Sequence, residues 1–429
     1  MLKITQNAPM GWNSWDCWGA AVNEDTVRKN AEFIARNLKQ YGYEYVVVDI
    51  QWSEPTAENH EYHPFAELCM DEYSRLIPAE NRFPSSAGGK GFAPLAEYVH
   101  SLGLKFGIHI MRGIPRQAVH RNTAVLGSDK TARQIAKTAS ICNWNTDMYG
   151  VDPDKDGAKA YYDSIFALYA QWGVDFIKCD DIAREFPHAE SELIMLSKAL
   201  DDCDREMILS LSPGPAPLEK AELFKQISNM WRITDDFWDK WELLYAMFER
   251  CEKWCTHTGA GHWPDADMLP VGAILQDYGP DGYTKFTEDE QRTMLTLWSI
   301  FRSPLFIGGD LTKCDDFTLK LLTNSEILRM HANSRDAHQV WRRTSDGTEH
   351  ILWKAYDSEG GIYAAVFNAG EEESIIEIDL NDLELADRYN CTELWSGVTA
   401  PAPVSGSINV RLAPHGAKAF RLLKERRSN

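Results

Sequence analysis

The sequence predicts an α/β chain in two parts: a (β/α)8 TIM barrel over residues 1–333, then a C-terminal antiparallel β-sandwich domain over 334–429. Three observations carry this. Through the first three quarters, hydrophobic β-branched runs alternate with amphipathic stretches, the order that builds a parallel sheet covered by helices. About eight such runs occur, the number that closes a barrel. After about residue 335 the pattern becomes short strands separated by turn signals, as in a sandwich.

Taken in order, "MGWNSW" (10–15) supplies the first strand. The run "YEYVVVDIQW" (43–52) is continuous and β-branched, typical of a strand buried on both faces. Between them, residues 24–42 place Val27, Ala31, Ile34 and Leu38 at helical spacing and close on Gly42. Further strands are predicted in 104–110, 174–180, 206–212, 229–236, "ADMLPVG" (266–272) and 303–309. In the second part, strands are predicted in 338–344, 350–357, 361–370, 373–380, 391–397, 405–412 and 417–423. "DSEGG" (357–361) and "APAPVSG" (400–406) read as connectors.

Composition narrows the function. The chain has 429 residues, 44% hydrophobic and 25% charged, an ordinary globular make-up. Its 15 tryptophans are core material, and also what a sugar-binding cleft uses, because apolar faces of pyranose rings stack on indole. A net charge of -20 argues against nucleic acid and anionic membranes as partners. No apolar stretch approaches the roughly 20 residues of a membrane span. The opening "MLKITQNAPMGWNSW" lacks a basic region followed by an apolar one. Nine cysteines without regular spacing read as reduced thiols, so a cytoplasmic protein is expected. Cys251 and Cys255 stand one helical turn apart but lack a second pair, so neither a zinc site nor any other metal or cofactor is expected. The expected partner is a small-molecule carbohydrate; the sequence leaves open whether the chain forms a homo-oligomer.

In a parallel barrel, chemistry sits at the carboxyl ends of the strands. The residues there are Asp49, His109, Lys178 with Asp180 and Asp181, Ser212, Arg232 with Asp235 and Asp236, and Asp265 with Asp267. Trp15 and Trp52 join the same rim. One polar strand end needs only solvent to explain it. Carboxylates at four of these strand ends, with Lys178 and Arg232 among them, need more. The sequence has no P-loop, no dinucleotide fingerprint and no GxSxG elbow. Paired carboxylates with supporting cations are the equipment of glycoside hydrolysis. A metal-dependent aldolase or isomerase, or a sugar-binding barrel without activity, stays open on these grounds.

Seven stretches then fall in a telling order: "APMGWNSWDCWG", "YVVVDIQW", "LKFGIHI", "FIKCDD", "WRITDDFWDKW", "WPDADMLPVG" and "SPLFIGGDL". Over about residues 8–330 they resemble glycoside hydrolase family 27, the α-galactosidases and α-N-acetylgalactosaminidases. The resemblance implies a retaining enzyme with Asp180 as nucleophile, Cys179 standing where an aromatic residue is usual. It implies Asp236 as acid/base, with Asp235 the rival one residue away. Lys178, Arg232 and Trp15 match sugar contacts, as do Asp267 and Met268 on the 2-position side. Asp49 matches the first of two adjacent aspartates that grip the 4- and 6-hydroxyls; the second is Ile50 here. His109 replaces a tyrosine that contacts the sugar. Ser212 stands where α-galactosidases place a Glu, with Pro215 near the Leu position, and the smaller side chain points to α-N-acetylgalactosamine over α-galactose. The loss of an aspartate at Ile50 points instead to β-L-arabinopyranose, which lacks the hydroxymethyl group.

Overall fold

The computed structural model describes residues 5–184, 186–279, 281–345 and 347–425. Eight parallel strands follow one another around a barrel: β1 (Met10–Asn13), β2 (Tyr45–Val48), β3 (Lys105–Met111), β4 (Phe176–Asp180), β5 (Ile208–Leu211), β6 (Met230–Arg232), β7 (Trp263–Asp265) and β8 (Leu305–Ile307). β1 pairs with both β2 and β8. The ring closes just past β7, where Leu269 bridges Ile307 in parallel and Leu269 N donates to Phe306 O at 2.7 Å.

The period of two along each strand separates two cores. Tyr45, Val47, Phe176, Ile208, Met230, Trp263 and Phe306 fill the barrel interior. Val46, Val48, Ile177, Cys179, Leu209 and Leu211 point outward into the layer of helices. That layer includes α1 (Glu24–Phe33), α2 (Ala93–Ser101), α3 (Ala158–Trp172), α4 (Phe186–Asp201), α5 (Ala221–Ile227), α6 (Trp241–Trp254) and α7 (Glu288–Phe301). The first helix is more broken than its spacing predicts. It continues as a wide π turn over Ile34–Leu38 and a tight turn over Lys39–Tyr41, ending at Gly42 with φ 99°. The seventh strand lies three residues earlier than predicted. Asp267 takes φ 83°, which breaks extension, and Pro270 has no N–H for a ladder. After β3 the chain makes a small antiparallel sheet from Ile114–Pro115, Ala136–Ile141 and Met148–Val151, which the hydrophobic pattern does not announce.

The second part begins with β9 (Ser334–Ser345) and continues through β10 (Thr348–Asp357), β11 (Ile362–Asn368), β12 (Ser374–Asp379), β13 (Tyr389–Glu393), β14 (Ser407–Leu412) and β15 (Ala417–Lys424). β9, β10, β11, β15 and β13 form one antiparallel sheet, and β12 and β14 form another. Leu352, Val366, Ile378 and Val410 fill the space between the sheets. The opposite face, with Ile351, Trp353 and Phe367, shares the helical core of the barrel. Phe367 meets Phe248 edge-on at 4.9 Å, and His415 stacks on Trp241 at 3.6 Å. The sandwich therefore braces the helices around β6 and β7.

One buried charge cluster anchors the turn after β4. Arg112 donates to the Asp181 carbonyl at 2.7 Å and its carboxylate at 2.8 Å, and reaches Glu192 of α4 at 3.2 Å. Asp181 holds φ 61°, unusual for a residue with a side chain. Replacing Arg112 by Met would take the cation from two buried carboxylates, so we expect a loss of about 3–5 kcal/mol in urea unfolding. A loss below about 1 kcal/mol would show that the cluster does not hold the turn.

Candidate active site

A cavity of about 270 Å³ opens at the carboxyl ends of the strands. Such a volume is at the small end for ligand sites and has room for one monosaccharide ring. Trp15, Asp49, Lys178, Asp180, Arg232, Asp236, Asp267 and Met268 all border it, gathered from five strand ends. His109 and Ser212 do not. Each is almost fully buried behind the wall and turned towards Asp180. From the inward-facing position of β3 and the end of β5, both meet the carboxylate of β4. Trp52 is likewise set back, its indole N–H donating to His109 O at 2.7 Å.

Alternation along β4 puts Lys178 and Asp180 on the inner face and Cys179 in the helical core. Each Asp180 oxygen has a donor. His109 Nε2 lies 2.8 Å from Oδ2, and the Ser212 hydroxyl donates to Oδ1. Burial alone would push the Asp180 carboxyl up. The Lys178 charge and the two hydrogen bonds outweigh it, and the group is held well below the usual carboxylate range. Lys178 also ion-pairs with Asp49 at 2.8 Å, whose other support is the Asn13 amide at 2.7 Å. Burial opposes the ammonium charge, but Asp49 and Asp180 more than offset it, so Lys178 stays charged.

Across the cavity, Arg232 bridges two carboxylates. It ion-pairs with buried Asp267 and reaches Asp236 Oδ1 at 3.1 Å. Asp267 also accepts from Phe237 N at 2.8 Å, which fixes the loop carrying Asp236. The Asp236 side chain is 61% exposed, at the mouth. Asp235 also borders the cavity but is engaged by Arg184 at 2.5 Å.

The aromatic wall was only partly legible. Tyr62 stacks on Trp15 with ring centres 5.8 Å apart, and Trp144 tilts against Tyr62 at 5.5 Å. Both come from excursions after β2 and β3 that carry no strand pattern; Trp238 completes the wall from the loop after β6. Ile50 also faces the cavity, backed by Met111, Cys142 and Met148. Among the described residues, no group of three or more His, Cys, Asp or Glu is placed to hold a metal ion, and Cys251 is buried in the core. No helix among the described residues is long and apolar enough to cross a membrane.

Comparison with known proteins agrees with this arrangement. The family model described as alpha galactosidase A matches residues 8–155 and 153–333, and that for the alpha galactosidase C-terminal beta sandwich domain matches 336–422. An α-galactosidase of Cyamopsis tetragonoloba is 26% identical over 421 residues, covering 97% of this chain and 86% of the relative. The solved structure of a family 27 β-L-arabinopyranosidase from Geobacillus stearothermophilus is 55% identical, with a TM-score of 0.95 over 99% of this chain and 98% of that one. A protein proposed to be an α-N-acetylgalactosaminidase, from Bacillus halodurans C-125, is 49% identical, with a TM-score of 0.87 over 99% of this chain and 100% of that one.

The supports of Asp180 can be tested directly. Ser212→Ala removes a bond that favours the ionised form, so the Asp180 carboxyl should titrate at higher pH, nearer the ordinary value of about 3.9. The stability contributed by its ionised form, present above the ordinary range, should then be lost at a higher pH as acid is added. Carboxyl ¹³C NMR titration reads the shift; an unmoved Asp180 resonance would contradict the assigned hydrogen bond.

Proposed function

The chain belongs to glycoside hydrolase family 27, and from that premise we propose that it is a retaining exo-glycosidase that removes terminal β-L-arabinopyranose. The observation that carries the sugar is Ile50 on the cavity wall. β-L-Arabinopyranose has the ring configuration of α-D-galactose without its hydroxymethyl group. Beside Ile50, the carboxylate of Asp49 is already engaged by Lys178 and Asn13. Met111, Cys142, Met148, Tyr62 and Trp144 make the surroundings of Ile50 apolar. A hydroxymethyl oxygen placed there would give up water and find no partner, a cost of about 1–3 kcal/mol. The reading of α-N-acetylgalactosamine rested on space beside Ser212. That hydroxyl is bonded to Asp180 and does not border the cavity, so the support for an N-acetyl pocket falls away. The 55% identity to a β-L-arabinopyranosidase supports the same choice.

The proposed reaction is a double displacement. The Asp180 carboxylate attacks the anomeric carbon as the glycosidic bond breaks, and Asp236 gives its proton to the leaving oxygen. Water then attacks the glycosyl-aspartate, Asp236 takes the proton, and the free sugar leaves. Retention calls for carboxyl groups roughly 5–5.5 Å apart. The buried cations suit these roles. Lys178, His109 and Ser212 keep Asp180 ionised, while Asp236, at the solvent-facing mouth, can meet both leaving group and water. Asp235 is turned to Arg184 at 2.5 Å, whereas Asp236 is tied to Arg232 of the cavity wall.

A panel of p-nitrophenyl glycosides tests the sugar. kcat/KM for the β-L-arabinopyranoside should exceed that for the α-galactoside by about 10–100-fold, and Ile50→Asp should narrow the gap. Preference for the α-galactoside or the α-N-acetylgalactosaminide in the wild type would overturn the choice. Azide separates the carboxylates. Asp180→Ala with azide should give a glycosyl azide of inverted configuration, and Asp236→Ala one of retained configuration. If Asp235→Ala is the variant that azide rescues with retention, Asp235 is the acid/base.

A further inference from the structure

Each carboxyl bordering the cavity is engaged except one. Asp49 pairs with Lys178, Asp180 with His109, Asp235 with Arg184, and Asp236 and Asp267 with Arg232. Asp16, in the short turn after β1, also borders the cavity and is only 1% exposed. Among the described residues, its Oδ2 has no hydrogen-bond partner. Nor is its place accidental. A Cβ at Gly308, just past β8, would lie 2.0 Å from that oxygen, so the glycine leaves room for this carboxyl. The fold thus makes room for this buried oxygen without supplying it a hydrogen bond. A buried unsatisfied oxygen costs about 1–3 kcal/mol, and in a native protein it calls for an explanation.

We propose that Asp16 is a further sugar-binding residue, whose carboxyl group takes a ring hydroxyl on the C2–C3 edge of the substrate as its missing partner. This rests on the glycosidase reading of the same cavity. The charges bearing on Asp16 most strongly are Asp267 and Lys178, followed by Asp236 and Arg232. Around the ring the order is β7, β8, β1, β2, so Asp16, after β1 and against Gly308 past β8, lies between Asp267, past β7, and Asp49, past β2. Burial, with Asp267 and Asp236 adding to it, pushes the carboxyl well above its usual range against Lys178 and Arg232. Burial thus favours the protonated form, which can both donate to and accept from a hydroxyl.

A cycle of protein and substrate deletions tests this. Wild type, Asp16→Ala, Asp16→Leu and Asp16→Asn are assayed with the p-nitrophenyl β-L-arabinopyranoside and its 2-deoxy and 3-deoxy analogues. In the wild type, losing the bonded hydroxyl should lower kcat/KM by about 10–100-fold. Asp16→Ala or Asp16→Leu should lower it comparably, and the same deoxygenation should then cost nothing more. Asp16→Asn, which keeps a donor and an acceptor, should recover most of the loss. Losses that multiply for both deoxy sugars, or apolar variants as active as the wild type, would overturn the proposal. So would failure of both apolar variants to fold while Asp16→Asn folds, since the carboxyl would then serve the fold. A wild type inactive on the arabinopyranoside indicts the sugar choice alone, and the cycle is then run with whichever glycoside is cleaved.

Discussion

A carboxylate can remain charged inside a barrel only if other groups replace the water it has lost. The charge of Lys178, ion-paired with Asp49 and favouring the ionised form of Asp180, is that replacement, and the rest of the site is built around it. His109 and Ser212 reach Asp180 from the neighbouring strands, and Asn13 reaches Asp49 from β1. Arg232 does the same work on the far side for Asp267 and Asp236. Lys178 and Arg232, with the donors His109 and Ser212, thus serve four carboxylates around a space the size of one sugar. The arrangement is costly unless complete, which is why the supporting donors are themselves nearly all buried.

The scaffold explains how such charges can converge. Parallel strands bring their carboxyl ends to one rim, so residues distant in sequence meet without any long loop having to place them. Behind the rim, Arg112 fixes Asp181 and α4, which holds the end of β4 steady. The sandwich braces α6 and α7 through Phe367 and His415. In the proposed reading, specificity sits elsewhere, in the less regular excursions. Ile50, backed by Met148, and Trp144 make one flank of the cavity apolar, and that flank is proposed to reject a hydroxymethyl group by offering it nothing.

Much of this was legible in the sequence. Strand patterns located β2, β3 and β4 closely because their hydrophobic runs are continuous, and the period of two correctly separated Lys178 and Asp180 from Cys179. The seventh strand was misplaced because Asp267, Met268 and Leu269 look like a strand while their backbone turns. His109 and Ser212 were read as ligand contacts because a strand end shows only that a side chain faces the pore. It cannot show which side chain it meets there, here the carboxylate of Asp180. Tyr62 and Trp144 come from excursions without hydrophobic periodicity, so nothing local marked them. Asp16 was passed over because an acidic residue in a tight turn ordinarily faces solvent.

The central claim is that Asp180, kept ionised by its buried neighbours, bonds covalently to the sugar. A 2-deoxy-2-fluoro-β-L-arabinopyranosyl fluoride should trap that intermediate, because the fluorine slows hydrolysis of the glycosyl-enzyme. Mass spectrometry of the digested protein should then show one added fluorosugar on the peptide spanning β4, with fragmentation placing it on Asp180. Label on Asp181 or Asp236, or turnover of the probe with inversion and no adduct, would contradict the account.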